Sequence, residues 1–281
     1  MINWVGNKIK YIEQIKSLTK DFKIVADGMM GSGNVLIELA KTHEIIGNDC
    51  IKLMPAIYNN FDNFEISENG FFDILNQWNC FEEKEYYYKF RDYWNKKYLE
   101  NRFNSLFLLE TFLLLKMCSN SMVRFNSKGE FNQGFRGCNG PFFKNPQVFK
   151  RWTDELINIA LILKKSTTSF YTSNINYFLR LNEFKDLRHT VFIFDPPYVL
   201  ANGMYSNTFT EETERDLIFN IQNKKLNFIY FNFEERERIV NGQIRDFAKQ
   251  YKVIPLNSKS AVGQNRKKTS NVKEILITNI V

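Results

Sequence analysis

Apolar and polar positions follow two rhythms along this chain. Short apolar runs of strand length recur at Phe22 to Ala26, Glu44 to Gly47, Ser169 to Thr172, Thr190 to Phe194, Asn227 to Phe231, Lys252 to Pro255 and Glu274 to Ile280. Between most of them apolar residues return at helical spacing, at Val35 to Lys41, Ile51 to Tyr58, Ile175 to Leu181, Glu211 to Lys224 and Arg236 to Gln250. Alternation of about seven strands with helices predicts a mainly parallel, doubly wound sheet. The rhythm breaks between residues 53 and 165, where Glu82 to Glu100, Ser105 to Ser119 and Pro146 to Lys165 read as helices. The expected architecture is therefore α/β, with a sheet domain of residues 1–52 and 166–281 and an inserted, mainly helical domain of residues 53–165. Inside the insert, residues 119–146 read as a long polar loop rich in Gly, Asn and Arg, and loops of that length are usually functional or disordered.

Of the 281 residues 44% are hydrophobic and 25% charged, which allows a substantial core and excludes a disordered or fibrous chain. Lys and Arg number 38 against 31 Asp and Glu, and the net charge of +7 favours an anionic partner without identifying one. Cys50, Cys80, Cys118 and Cys138 form no C-x-x-C pair, so neither a zinc knuckle nor a disulfide framework is indicated and a reducing compartment fits. With only His43 and His189, His-rich metal sites are disfavoured and no metal is expected. The N-terminus lacks the apolar stretch of a signal peptide. The greasiest segment, Leu106 to Leu115, carries Glu110 and ends at Lys116, too short and too polar to span a bilayer. A cytoplasmic protein with no membrane partner is the expectation.

Two segments carry candidate chemistry. Asp27-Gly28-Met29-Met30-Gly31-Ser32-Gly33 follows a strand and opens a helix, the strand-turn-helix context in which nucleotides bind. It is neither the dinucleotide fingerprint nor a P-loop, because no Lys stands ready for phosphates, so a cofactor without a diphosphate fits better. Asp49 ends the second strand, where such folds set a carboxylate on ribose hydroxyls; a helix N-cap is the structural alternative.

The second segment is Asp195-Pro196-Pro197-Tyr198, directly after the strand Thr190 to Phe194. Its prolines remove two backbone donors and fix φ, leaving a rigid corner whose Asp195 carboxylate and Pro196 carbonyl both accept hydrogen bonds. Such a corner grips an amino group. The lone pair of an aromatic amine is delocalised into its ring, and two acceptors on its hydrogens help to localise it, so methyl transfer to that nitrogen becomes feasible. Tyr198 offers a face to stack on a flipped base. An ordinary Pro-rich turn is the bland alternative.

With these residues the sequence resembles the Dam-like (D12 class) DNA adenine-N6 methyltransferases, in the group whose cofactor motif precedes the recognition region and the catalytic motif. The resemblance covers most of the chain and implies a Rossmann-like class I methyltransferase fold, with S-adenosylmethionine as cofactor and double-stranded DNA as substrate. Trp4-Val5-Gly6-Asn7-Lys8 resembles the family's W-x-G-G-K element, with Asn7 in place of the second Gly; it implies that Trp4 and Lys8 hold the cofactor, Lys8 through its carboxylate. Asp27 to Gly33 resembles [DE]-P-F-x-G-x-G, so Asp27, Met29, Gly31 and Gly33 are implied cofactor contacts, with Gly28 replacing Pro and Met29 replacing Phe. Asp49 matches the ribose-binding acid, and Asp195, Pro196 and Tyr198 match an intact catalytic motif, Asp195 also facing the cofactor. Where members often carry an Asp after the next strand, this chain has Ser173-Asn174.

In the insert, Arg124-Phe125-Asn126-Ser127-Lys128-Gly129-Glu130-Phe131-Asn132 resembles the family's DNA-contacting R-[YF]-N-x-[KR]-x-E-F-N segment. It implies DNA contacts from Arg124, Phe125, Asn126, Lys128 and Asn132, and from Arg136 beyond it, through cations for phosphate or guanine, amides for base edges and rings that could wedge into the stack. The same residues could instead fold the loop onto its own domain. The family's V-P-F-G continuation is replaced by Gln133-Gly134-Phe135-Arg136. Tyr205 to Thr210 resembles the segment that frames the flipped adenine, with Thr210 also placed to cap a helix, and Arg266, Lys267 and Lys268 resemble a terminal basic loop suited to phosphate. The resulting expectation is a site-specific DNA adenine-N6 methyltransferase, with a cognate restriction endonuclease as a functional partner. The alternatives are a DNA-binding protein on the same fold without turnover, an RNA adenine or cytosine-N4 methyltransferase, and a nicotinamide-dependent oxidoreductase, which has no use for the Pro-Pro corner.

Overall fold

The structure is a computed structural model and describes residues 4, 6–61, 70, 73–74, 77, 84–137, 145–181, 184, 186–199, 209–236, 238–256 and 272–281. Eight strands form one sheet: β1 (Ile24–Asp27), β2 (Glu44–Asp49), β3 (Thr168–Thr172), β4 (Thr190–Phe194), β5 (Asn227–Arg236), β6 (Ile239–Val240), β7 (Lys252–Leu256) and β8 (Val272–Thr278). Their order is β3-β2-β1-β4-β5-β8-β7, with β6 pairing on β5. β1 pairs parallel with β2 and β4, and β4 parallel with β5. β8 runs antiparallel between β5 and β7. Every residue of β4 is buried, and its unbroken run Thr-Val-Phe-Ile-Phe is what a strand covered on both faces requires. Successive strands lead one way from β1 to β3 and the other way from β4 to β5, so the winding reverses between β1 and β4. Open sheets bind ligands at the carboxyl ends of the strands at such a switch point.

The chain divides into two compact units. One holds Tyr11–Met30, Thr42–Cys50 and Tyr171–Val281, the bulk of the sheet. Its core gathers Ala26, Phe192, Phe194, Phe228, Tyr230 and Ile277 with residues of the helices α7 (Ile175–Phe178), α8 (Glu211–Asn223) and α9 (Gly242–Ala248). Helix α1 (Ile12–Thr19) also belongs to it and has no counterpart in the expected elements. The expected helix over Arg236 to Gln250 is corrected: β5 runs on to Arg236, Arg238 turns the chain at φ 72°, β6 returns, and only Gly242–Ala248 is helical. The Asn241 side chain starts that helix by accepting from the Ile244 amide at 3.2 Å.

The other unit holds Met1–Lys10, Gly31–Lys41 and Ile51–Phe170. It contains α2 (Asn34–Leu39), α3 (Leu53–Asn59), α4 (Lys84–Leu99), α5 (Ser105–Met117) and α6 (Pro146–Lys165). The Asn145-Pro146 pair sets the start of α6: the Asn145 side chain accepts from the Gln147 amide at 3.0 Å and proline occupies the first turn, where it loses no bond. α4 and α5 meet through aromatic rings: Trp94 of α4, itself stacked on Tyr98 of the same helix at 5.1 Å, stacks on Phe107 of α5 at 5.0 Å. Glu110 is buried and accepts from Lys97 at 2.6 Å, which reconciles a charge with the greasiest helix of the chain. Among the described residues no helix is long and apolar enough to cross a membrane.

Candidate active site

Three strand ends of the sheet unit build one corner. The Gly28 amide donates to the Ile193 carbonyl at 3.0 Å and the Met30 amide to the Asn48 carbonyl at 2.8 Å, so the turn after β1 is laced to the ends of β4 and β2. Asp27, buried, folds the turn by accepting from the Met29 amide at 3.0 Å. Asn48, also buried, donates to the carbonyls of Gly28 at 2.9 Å and Ser173 at 3.0 Å and accepts from the Ser173 hydroxyl at 2.8 Å. This clasp was missed by sequence reasoning, which read Ser173 as an absent acid and passed over Asn48; an Asn beside a strand-end Asp was the available signal. Asn174 is the N-cap of α7, accepting from Tyr177 at 2.9 Å.

The geometry suits glycine at position 28, where the resembled motif has Pro. A Cβ there would come within 2.5 Å of Ile175 Cδ1, and proline would lose the N–H that binds Ile193. Met29 is half-buried and rests on the hydrophobic core. Asp49 closes β2 and is buried, and α3 begins at Leu53 with Lys52, not Asp49, in the N-cap position.

The corner Asp195 to Tyr198 leaves β4 beside this turn, with Pro196 buried and Asp195 and Tyr198 half-buried. The Tyr198 hydroxyl lies 3.0 Å from Asp195 Oδ1 and 3.0 Å from Glu274 Oε1. Burial, then the two adjacent carboxylates, push its ionisation well above the usual phenol range. Its ring meets Phe233 edge-on at 4.3 Å. Glu274 was not anticipated as a site residue; nothing local in the last strand distinguishes it.

In the other unit, Trp4 lies against Gly31, where an added Cβ would come within 2.7 Å of its indole nitrogen, so these two expected contacts do come together. Gly31 and Gly33 have φ of 52° and 69°, the left-handed region that favours glycine. Tyr58, unanticipated, covers Gly33, whose added Cβ would come within 2.5 Å of the Tyr58 ring, and its hydroxyl donates to the Ser32 carbonyl. The Lys8 ammonium is buried and donates to the Gly6 carbonyl at 2.7 Å.

The segment Arg124 to Asn132 is a small hairpin in the same unit. Phe125 pairs with Phe131, the Asn132 amide donates to the Arg124 carbonyl at 3.1 Å, and Gly129 turns the chain at φ 75°. Asn126 is spent on the turn: its Oδ1 accepts from the amides of Lys128 and Glu130 and its Nδ2 donates to Glu130. Phe125 is likewise engaged, stacked on Tyr98 at 5.0 Å. Arg124, Lys128, Asn132 and Arg136 are exposed. The buried Asn95 of α4 holds the hairpin, donating to the Phe131 carbonyl at 3.0 Å and accepting from its amide at 2.7 Å. A groove of about 470 Å³ runs between α4 and the hairpin, lined by Arg91, Lys96, Asn126 and Asn132 among others. Thr210 caps α8, accepting from Thr213. Tyr205, Arg266, Lys267 and Lys268 lie outside the described residues.

An acceptor corner at the switch point, after the strand that binds the Gly28 amide, suits an amino group as its guest. Comparison with known proteins narrows this. Residues 4–253 match the D12 class N6 adenine-specific DNA methyltransferases, and the chain belongs to that family. Its reaction is methylation of adenine N6 in DNA. It is 28% identical over 229 residues to the type II methyltransferase M.MjaIII of Methanocaldococcus jannaschii, covering 76% of this chain and 73% of that one. It is 26% identical over 151 residues to the DNA adenine methylase of Escherichia coli K12, covering 53% of this chain and 51% of that one. An rRNA methylase from Streptococcus thermophilus aligns over 99% of both chains at 9% identity with a TM-score of 0.37.

Proposed function

We propose that this chain uses S-adenosylmethionine to methylate an adenine flipped out of a specific duplex site. The Asp195-Pro196-Pro197-Tyr198 corner, held at the switch point next to the Gly28 amide, carries this reading. The residues fit the cofactor: Asp49 is a buried carboxylate at a strand end, suited to ribose hydroxyls, and Lys8 is a buried ammonium, suited to an amino-acid carboxylate. Trp4, Asp27, Met29, Gly31 and Gly33 complete the proposed set. When bound, the cofactor supplies a methyl group already activated on a sulfonium.

Asp195 and the Pro196 carbonyl accept the two N6 hydrogens and return electron density to the nitrogen, and Asp195 accepts the proton that the alkylated amine sheds. Base extrusion is a prerequisite, because N6 is unreachable within the stack. Arg124, Lys128, Asn132 and Arg136 contact DNA, while Phe125 and Asn126 act by shaping the hairpin that presents them; the helical insert is then the target-recognition region. A cytoplasmic location and a cognate restriction endonuclease complete the proposal. Sequencing the methylated bases of a host that expresses the protein tests it: N6-methyladenine should appear within one recurrent sequence, and Asp195→Ala should lower transfer by at least about 10³-fold while leaving the fold intact. A host genome unchanged by the wild-type protein, or a mark on cytosine, overturns it.

A further inference from the structure

The Tyr198 hydroxyl has two carboxylate acceptors at the same distance, 3.0 Å to Asp195 and 3.0 Å to Glu274. A phenol carries one proton and donates it once. Asp195 is also the group that must receive the amine, so once substrate is bound the tyrosine and the amine draw on the same carboxylate, Tyr198 on its Oδ1. We propose that Glu274 is a positioning residue that resolves this competition: it takes over the Tyr198 proton when an exocyclic amine occupies Asp195, and keeps the ring in place while Asp195 changes partner.

Sheet register supports the assignment. β8 sets Glu274 opposite Phe233 of β5, and Phe233 is the ring against which Tyr198 rests. The tyrosine is thus held by two cross-strand neighbours, one through its ring and one through its hydroxyl. Glu274 is itself buried and fixed, since Tyr11 donates to its other oxygen, Oε2, at 3.4 Å. The ladder shifts register just past Phe233, between Phe233 and Glu235, an irregularity of the kind that re-aims side chains near active sites. The raised phenol ionisation agrees with a proton that is shared and never lost.

The inference rests on the reading that Asp195 receives the amine, and a double-mutant cycle separates the two. Glu274→Ala should lower kcat roughly 10–100-fold, because the tyrosine then stays on Asp195, with KM for DNA changed by less than about threefold. Glu274→Gln, which keeps an acceptor oxygen and the side-chain volume, should retain most of the activity. In a Tyr198→Phe background Glu274→Ala should have almost no further effect, since no proton remains to be contested. A purely structural Glu274 would produce the same loss in both backgrounds, and that result overturns the proposal. A second measurement needs no activity: 3-fluorotyrosine in place of Tyr198 should show a 19F resonance that moves on Glu274→Gln, and an unmoved resonance overturns the proposal. If the wild-type chain transferred no methyl while the resonance did move, the reading of Asp195 would fail and the Tyr198–Glu274 link would stand.

Discussion

At the scale of single residues, burial decides how each group behaves. Lys116 closes α5 with its ammonium over the Trp152 ring at 4.8 Å. Burial pulls its ionisation down to about 8; Glu155 opposes the shift and Arg136 adds to it. Between about pH 8 and the ordinary lysine value of 10.5 the unfolded chain binds a proton that the folded chain does not, so stability rises with pH across that window. Below it the buried charge is a full cost. Lys116→Met should therefore stabilise the protein at pH 7 by roughly 1–2 kcal/mol after allowance for solvent screening. The gain should narrow by more than half at about pH 9.5, as denaturant unfolding at the two pH values would show. Gly28 keeps, through its amide, a bond to the Ile193 carbonyl that the proline of the resembled motif would lose.

At the scale of elements, the hairpin over Arg124 to Asn132 depends on a residue outside it. Asn95 satisfies both backbone groups of Phe131 with one buried amide. Asn95→Ala should destabilise this unit by about 2–4 kcal/mol, because a buried donor and acceptor are left unpaired. Affinity for duplex DNA, read by fluorescence anisotropy, should fall while calorimetric affinity for S-adenosylmethionine stays within about twofold. An unchanged DNA affinity would show that the hairpin does not bind the substrate. The elements also mark where local pattern sufficed. α6 runs from Pro146 to Lys165, the bounds its periodicity predicted. Arg236 to Gln250 did not follow its pattern, because β5 gains pairing from both β6 and β8 over residues that look helical alone.

At the scale of the whole molecule, a net charge of +7 fits a polyanionic substrate without locating the contact. Under the proposed function the exposed cations Arg124, Lys128 and Arg136 make part of it. If each meets one phosphate they contribute a slope of about −2.7 to log affinity against log salt, or roughly a 40-fold loss of DNA affinity between about 50 and 200 mM salt. Neutralising all three to Gln should flatten the slope by about that amount, as titrations across the same salt range would measure. A slope unchanged by the triple substitution would place the phosphate contacts elsewhere in the chain.

Sequence alone determined most of the alternation of strands and helices, the acceptor corner after β4 and the glycine turn after β1; it marked Arg124 to Asn132 as a segment but not as a hairpin. Each is a local property: φ freedom at glycine, its restriction at proline, and apolar runs long enough for a buried strand. Tertiary structure alone decided which distant groups complete them. Tyr198 finds Glu274 across 76 residues, Asn48 finds Ser173 across 125, and Asn95 finds Phe131 across 36. These pairings depend on strand order, register and helix docking, which arise from burial summed over the whole chain and not from the paired residues themselves.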